Sequence, residues 1–341
     1  MNPKDAINSL PSVSIVIPTF NSERTIRECI SSITKQDYPK ELIEIIVPDG
    51  GSTDSTLQIV SQLSDARIVT NKLRTGEAGK AVGVSCAKNE IVALVDSDNV
   101  LDDPSWLRKM THPFSDPDIV ASEPLYFSHR KTDPLVSRYC ALIGANDPLT
   151  VYIGNHDRYC FFKERWTEIP LPQKDYGDYL AVEVRGRVLP TFGANGFLVL
   201  RNLVQQTGRR PFLFDIDFVH DLAGERAFHI AKVKIGITHL FAPNVGFYIR
   251  KTLRRIRDYW FYSGRGTRTY PWQDYPRAKL LKFVLFSLTV IPTLRDARRG
   301  CAVLPDRAWL FHPFGCLLVL FVYATFLMTA PGTAWKRLVA S

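Results

Sequence analysis

Cysteine is sparse and scattered in this sequence. Cys29, Cys86, Cys140, Cys160, Cys301 and Cys316 form no Cys-x-x-Cys motif and have no histidine at zinc-finger spacing. A disulfide framework and a structural zinc site are thereby excluded in their usual forms. The thiols are expected to be free, in a reducing compartment. No apolar stretch follows the opening Met-Asn-Pro-Lys-Asp, so no cleaved signal peptide is expected. No internal repeat and no low-complexity segment occurs, which leaves ordinary globular packing. Acidic residues are scarce late in the chain: residues 246–341 hold 4 Asp and Glu against 16 Lys and Arg, whereas residues 1–245 hold 30 against 27. The net charge of +9 therefore belongs to the tail, where the long apolar runs also lie. That pairing points to an anionic membrane surface and away from nucleic acid. A length of 341 residues suffices for one large domain or two smaller ones.

Ile91-Val92-Ala93-Leu94-Val95 has strand character and ends in Asp96-Ser97-Asp98-Asn99. Unpaired carboxylates are too costly inside a core, so both acids should emerge at the strand's carboxyl end. Ligands bind at that end of open α/β sheets. The acids form either an ordinary acidic turn or a pair that converges on a metal shared with a diphosphate. Similar strand ends occur upstream. Val13–Ile17 is stopped by Pro18 and followed by the loop Thr19–Glu23, where Asn21 or Ser22 can cap a helix to about Lys35. Ile43–Val47 ends in Pro48-Asp49-Gly50-Gly51-Ser52-Thr53-Asp54, whose glycines permit a tight turn and close approach to a ligand. Ser52 or Asp54 can cap the next helix, to about Leu63. Ala66–Val69 is a third strand, and Gly76 opens a helix to about Lys88. This β-α-β-α alternation predicts an α/β fold with a mostly parallel sheet covered on both faces. Polar clusters at successive strand ends predict one shared rim.

Val-Ser-Ile-Val-Ile-Pro-Thr-Phe-Asn-Ser-Glu, Val-Pro-Asp-Gly-Gly-Ser-Thr-Asp and Val-Asp-Ser-Asp, in this order and spacing, resemble the family-2 inverting glycosyltransferases of GT-A fold, over about residues 12–245. The resemblance implies transfer of a sugar from a nucleotide-diphosphate donor to an acceptor hydroxyl, with Mg²⁺ or Mn²⁺. It implies that Pro18, Thr19 and Glu23 border the nucleotide and that Asp49 bonds the base. A carboxylate accepts from a uracil or guanine N–H, so a UDP- or GDP-sugar fits. Lys80 lies either near the donor or at a solvated helix end. Asp96 and Asp98 take the sugar/ribose and metal roles, the ion neutralising the leaving diphosphate. Gly193-Ala194-Asn195-Gly196 resembles the glycine-asparagine segment beside donor and acceptor. Asp215-Ile216-Asp217 occupies the place of the family's Glu-Asp or Asp-Asp motif, where one carboxylate deprotonates the acceptor. Asp217 is the first candidate and Asp215 the second, although acids there also suit a helix N-terminus. His239 ends a strand-like run and is either a metal ligand, as in some members, or structural.

Other segments speak less clearly. Pro104–Leu107 predicts a helix start and Asp118–Ser122 a strand, while residues 123–190 are rich in Tyr, Arg, Pro and Trp with little periodicity. Ile249, Leu253, Ile256 and Trp260 repeat at helical spacing, with Arg250, Lys251, Arg254, Arg255 and Arg257 between them. That pattern is an amphipathic helix lying on anionic headgroups, or one packed on the domain. It lacks the Gln-x-x-Arg-Trp motif of processive members, which argues against a polysaccharide synthase. Residues 308–335 carry no charge and are long enough to span a membrane; residues 283–294 form a shorter run, spanning or re-entrant. If both span, Arg295, Arg298 and Arg299 face outward, which strains the positive-inside rule. The heavier basic cluster before Lys282 favours a catalytic domain on the cytoplasmic face. The expected organisation is a GT-A catalytic domain over 1–245, a basic interfacial segment over 246–278 and a membrane hairpin or anchor over 279–341. The expected partners are a nucleotide-sugar donor and a lipid-linked or membrane acceptor. Two rivals stand beside this. A nucleotidyltransferase would need a Gly-rich, Lys/Arg-containing loop after the first strand, which Thr19–Glu23 is not. A non-catalytic membrane scaffold would bind sugar nucleotides without turnover.

Overall fold

The computed structural model describes residues 10–207, 211–272 and 276–329. The chain opens with strands β1 (Val13–Val16), β2 (Ile43–Asp49), β3 (Arg67–Thr70) and β4 (Ile91–Leu94), separated by helices α1 (Glu23–Thr34), α2 (Thr56–Leu63) and α3 (Gly76–Cys86). β1 lies between β2 and β4, with β3 outside β2, and all these pairings are parallel. β1 and β4 are buried throughout, as continuous Val, Ile, Leu and Ala runs require of strands covered on both faces. Val16 stands opposite both Ile46 and Leu94, so the three strands finish along one edge. The residues that follow them, Thr19, Asp49 and Asp96, come out there together.

The remaining elements are β5 (Asn99–Val100), α4 (Trp106–Thr111), β6 (Ile119–Ser128), α5 (Leu135–Ile143), α6 (Pro148–Ile153), β7 (Gln173–Asp175), β8 (Tyr179–Val184), β9 (Phe197–Leu200), α7 (Arg201–Thr207), α8 (Asp215–Glu225), β10 (Phe228–His239), α9 (Val245–Gly264), α10 (Arg277–Thr289), α11 (Ile291–Val303) and α12 (His312–Thr329). One sheet runs in the order β3-β2-β1-β4-β9-β6-β10-β8-β7, with β5 paired to β10. The α/β class is as expected. The sheet is parallel as far as β4 and then meets β9 antiparallel, Phe197 opposite Leu94. That pairing brings the segment before β9 to the edge where β4 ends. β5 pairs antiparallel with the end of β10, Asn99 opposite His239, and so brings His239 to the same edge.

Glycine sets how closely α3 approaches the sheet. A Cβ at Gly83 would stand 2.2 Å from Val16 Cγ1, and one at Gly79 2.8 Å from Pro18 Cβ. No larger residue fits without displacing Val16 or Pro18, and the close seat carries Lys80 to the strand ends.

Several local expectations change. Neither Asn21 nor Ser22 caps α1 through its side chain: Ser22 holds the cap position without a bond, and Asn21, at φ 49°, accepts from Thr53 N at 2.9 Å. The loop after β2 is the better partner because it lies beside Asn21 in space. Asp54 does serve the start of α2, accepting from Thr56 N at 3.0 Å. Residues 123–190, which showed little periodicity, contain the rest of β6 and four further elements, all short.

The chain divides into two compact units. The first comprises the chain to Tyr126, Leu171–Gly186 and Phe192–His239, and holds nearly the whole sheet. The second comprises Phe127–Pro170, Arg187–Thr191 and the chain from Leu240 onward. It is helical, around a core that includes Tyr139, Tyr152, Phe283, Trp309 and Val319. In it α9 turns Tyr248, Thr252 and Ile256 inward, and Trp260 stacks on Phe326 of α12 at 6.2 Å. Of the expected apolar face, Ile256 is buried and Ile249, Leu253 and Trp260 are half-buried, while Arg254 and Arg257 face out. The run 283–294 is not one helix. It breaks at Val290, whose φ is 62°. The stretch Arg307–Thr329 is long and apolar enough to cross a membrane, with 39% of its most apolar window buried in the protein. Residues 330–335 of the expected span lie outside the described residues.

Candidate active site

The first strand-end loop is sewn to the second. Thr19 bridges to Asp49 through the backbone, and Thr19 Oγ1 donates to Asp49 Oδ1 at 3.1 Å. Asp49 is buried and accepts three more bonds from its own turn: Gly51 N and Ser52 N at 2.8 Å on Oδ2, and Ser52 Oγ at 2.6 Å on Oδ1. A carboxylate has about four lone-pair sites. Those of Asp49 are therefore occupied by the loop, and a nucleobase N–H reaches it only by displacing the Thr19 or Ser52 hydroxyl. Glu23, also expected beside a nucleotide, accepts from Ser55 N at 3.1 Å. Pro18 packs on Gly79. Ser22 Oγ reaches Ser97 Oγ at 3.0 Å, which joins the loop after β4 to the other two.

Lys80 is not a solvated helix end. Its ammonium is buried, is paired with Asp215 and lies 3.4 Å from Asp96 Oδ1. Burial opposes that charge, but Asp215 and Asp96 outweigh it and hold the Lys80 pKa above its ordinary value. Burial pushes the Asp215 carboxyl up to about 6, against the pull of Lys80. Asp217 is also buried in the first turn of α8. At about 100° per residue it projects from the far side of the helix relative to Asp215. The two candidate bases therefore do not share an environment, and Asp215 is the one joined to the strand ends.

Asp98 Oδ1 stands 3.4 Å from His239 Nε2, a carboxylate and an imidazole side by side. Among the described residues no group of three or more His, Cys, Asp or Glu side chains is arranged to hold a metal alone. The pair could supply a divalent ion with one oxygen and one nitrogen donor. Asp96, committed to Lys80, is not part of that pair.

The segment 193–196 reaches this cluster through the backbone. Gly193 has φ 107°, and a Cβ there would lie 2.8 Å from the Asp215 carbonyl oxygen, so only glycine lets the loop touch the start of α8. Asn195 Oδ1 accepts from Asn99 Nδ2 at 3.0 Å, and Asn99 Oδ1 accepts from Asp96 N at 2.9 Å. Gly196 N donates to Leu94 O at 2.9 Å. Thus Asn99 is a structural link between two site loops.

Two residues here had no signal in the sequence. Glu123 on β6 and Lys232 on β10 are both fully buried and pair at 2.7 Å, and the second Glu123 oxygen accepts from Gly193 N at 3.1 Å. A charged residue within an apolar strand was the available clue, and it becomes readable only once the strands are known to be neighbours.

Residues 14–173 match the profile of Glycosyl transferase family 2. The chain is similar to the poly(ribitol-phosphate) beta-N-acetylglucosaminyltransferase TarS of Staphylococcus aureus, 39% identical over 93 residues, covering 26% of this chain and 16% of TarS. It is also similar to a dolichyl N-acetyl-alpha-D-glucosaminyl phosphate 3-beta-D-2,3-diacetamido-2,3-dideoxy-beta-D-glucuronosyltransferase of Methanococcus voltae, 45% identical over 71 residues, covering 20% and 22%. The chain thus spans less than a quarter of the length of either relative. Among solved structures, the mannosyltransferase PcManGT of Pyrobaculum calidifontis, in complex with GDP-Man and Mn²⁺, aligns with 98% of this chain and 85% of its own, at 15% identity and a TM-score of 0.47.

Proposed function

Starting from a chain that carries a glycosyl transferase family 2 domain over residues 14–173, we propose a metal-dependent inverting transfer from a UDP- or GDP-sugar. The acceptor is a hydroxyl or phosphate on a lipid-linked carrier or glycan, at the cytoplasmic face of a membrane. The observation that carries the proposal is the Asp96–Lys80–Asp215 cluster at a rim shared by three strand ends, with Asp98 and His239 paired beside it. The activities for which the two relatives are named, on poly(ribitol-phosphate) and on a dolichyl phosphate glycan, support the acceptor class.

In this reading Pro18, Thr19, Glu23 and Asp49 border the nucleotide, and Asp96 meets the donor's ribose or sugar. Asp98 and His239 would hold Mg²⁺ or Mn²⁺, which supplies positive charge to the departing diphosphate. Asp215 is proposed ahead of Asp217 as the base, because its carboxyl faces the cluster and burial raises its affinity for a proton. Lys80 holds Asp215 Oδ2, and Asp215 Oδ1, which has no hydrogen-bond partner among the described residues, is the oxygen left to take the acceptor proton. Gly193, Asn195 and Gly196 form the floor between donor and acceptor.

The test is a panel of UDP- and GDP-sugars with Mn²⁺ or Mg²⁺ and a membrane lipid extract, scored for nucleoside diphosphate. Asp98→Ala should abolish release while the far-UV circular dichroism is unchanged; full activity in that variant contradicts the metal role. Asp215→Asn should lose far more activity than Asp217→Asn. Release of pyrophosphate would identify a nucleotidyltransferase, and nucleotide binding without turnover a scaffold.

A further inference from the structure

Large apolar side chains left in solvent are not spread evenly. Of the 18 exposed ones among the described residues, 11 fall within residues 277–329. They form stripes. On α10 they are Leu280, Leu281, Leu285 and Leu288, the last three on one face at helical spacing. On α12 they are Phe314, Phe321 and Met328, every seventh residue and hence again one face. α11 exposes Ile291 and Leu294 next to exposed Arg295, Arg298 and Arg299. A soluble surface rarely concentrates apolar area in this way without a partner.

We infer that α10, α11 and α12 lie in the plane of an anionic bilayer, sunk into one leaflet by these stripes, and that none of them crosses it. Charge complementarity names the occupant, because residues 277–329, which hold the three helices, carry 7 Lys and Arg against 2 Asp. Arginines beside a shallow apolar face sit among acidic headgroups, each worth about 1 kcal/mol.

The packing of α12 argues against a crossing. Its beginning is pinned where His312 Nδ1 meets Tyr139 OH at 3.0 Å and Nε2 meets Tyr152 OH at 3.2 Å. Near its other end Tyr323 OH donates to Asp147 Oδ2 at 3.0 Å. Trp309, just before it, sits where a Cβ on Gly300 of α11 would be 2.3 Å away. Tyr139, Tyr152 and Asp147 belong to α5, α6 and the turn between them. Those helices have 9 and 6 residues. At 1.5 Å per residue they are about 14 and 9 Å long, so neither can accompany α12 across roughly 30 Å of hydrocarbon. A crossing α12 would carry the non-helical backbone of residues 144–147 into lipid, where irregular backbone is not tolerated unless covered by protein or water. α10 is too short to cross, and α11 carries Arg295, Asp296, Arg298 and Arg299. In-plane seating also removes the conflict of these arginines with the positive-inside rule.

The inference takes from the proposed function only the presence of a membrane, not the chemistry. Its test uses the full chain with three reporters: the exposed native thiol Cys301, the thiol introduced by Lys40→Cys, and an epitope after Ser341. In right-side-out and inverted membrane vesicles, an impermeant maleimide and a protease should find all three on the same side. Cys301 or the epitope on the side opposite the Lys40→Cys thiol overturns the inference in favour of a spanning helix. In flotation with phosphatidylcholine vesicles, adding phosphatidylglycerol should raise binding. Leu285→Glu/Phe321→Glu, both at exposed positions, should lower it about tenfold with the fold intact. A chain that stays off all vesicles, or a soluble dimer that buries the stripes, overturns the membrane itself. Loss of glycosyl transfer with the vesicle results unchanged would overturn only the proposed reaction.

Discussion

Replacing Lys80 by Met tests the site without any substrate. In the wild-type chain Asp215 titrates at about 6, against an ordinary value of 3.8. Between these pH values the native state keeps a proton that the unfolded chain has released. Stability therefore falls as pH rises through that window, by about 3 kcal/mol at 1.36 kcal/mol per unit. Lys80 limits the fall, because its ammonium partly compensates the buried carboxylate. Its own raised pKa contributes stability that is complete below the ordinary lysine value and lost only in strong alkali, outside the assay. Lys80→Met removes the compensation, so the Asp215 carboxyl rises further and the unfavourable window widens upward. At pH 5 Asp215 is largely protonated in both proteins and the two should melt within a few degrees of each other. At pH 8 the variant either holds an uncompensated buried charge or keeps the proton, a defect of at most about 3 kcal/mol relative to the wild type at 1.36 kcal/mol per unit from pH 6 to 8. For a unit of this size that lowers the melting temperature by about 10 °C. Thermal melts followed by far-UV circular dichroism at the two pH values decide the matter. An equal loss at both would mean that Lys80 acts by packing, and no loss at pH 8 would mean that the cluster is not ionised as described.

Other consequences are as direct. His239→Ala should raise the Mn²⁺ concentration for half-maximal nucleoside diphosphate release by about tenfold or more, with less effect on Mg²⁺, which prefers oxygen donors. Gly83→Ala places a methyl group 2.2 Å from Val16 Cγ1 and should destabilise by about 1–3 kcal/mol, seen as a lowered melting temperature. Glu123→Leu and Lys232→Met should each cost about 3–5 kcal/mol alone, while the double variant recovers most of the loss in denaturant titrations. Additive losses would show that the two charges do not compensate each other.

The first hundred residues were legible because the physics there is local. Continuous apolar strands and glycine turns come in order, and parallel pairing then forces Asp49 and Asp96 to one edge. Lys80 was ambiguous because nothing near it in sequence says whether a lysine at a helix start meets water or a carboxylate 135 residues away. The saturated state of Asp49 was hidden in the same way, since its partner Thr19 arrives from another strand. The antiparallel half of the sheet left little trace: β7 has 3 residues, all exposed, and the alternation that marks a strand needs more length. α9 shows a different limit. An apolar face at helical spacing looks the same whether lipid or Phe326 covers it. Length and absence of charge mark the runs at 283–294 and 308–335, and neither reports the break at Val290 or the bond from Tyr323 to Asp147.

The way α12 is held has a practical bearing on anyone wishing to prepare this protein without detergent. Trimming the chain ahead of His312 removes more than a greasy appendage: it withdraws Cys316 and Val319, both at 0% exposure, from the heart of the helical unit. The shortened polypeptide should aggregate, whereas charging the outer stripe while keeping the helix should give soluble, folded material.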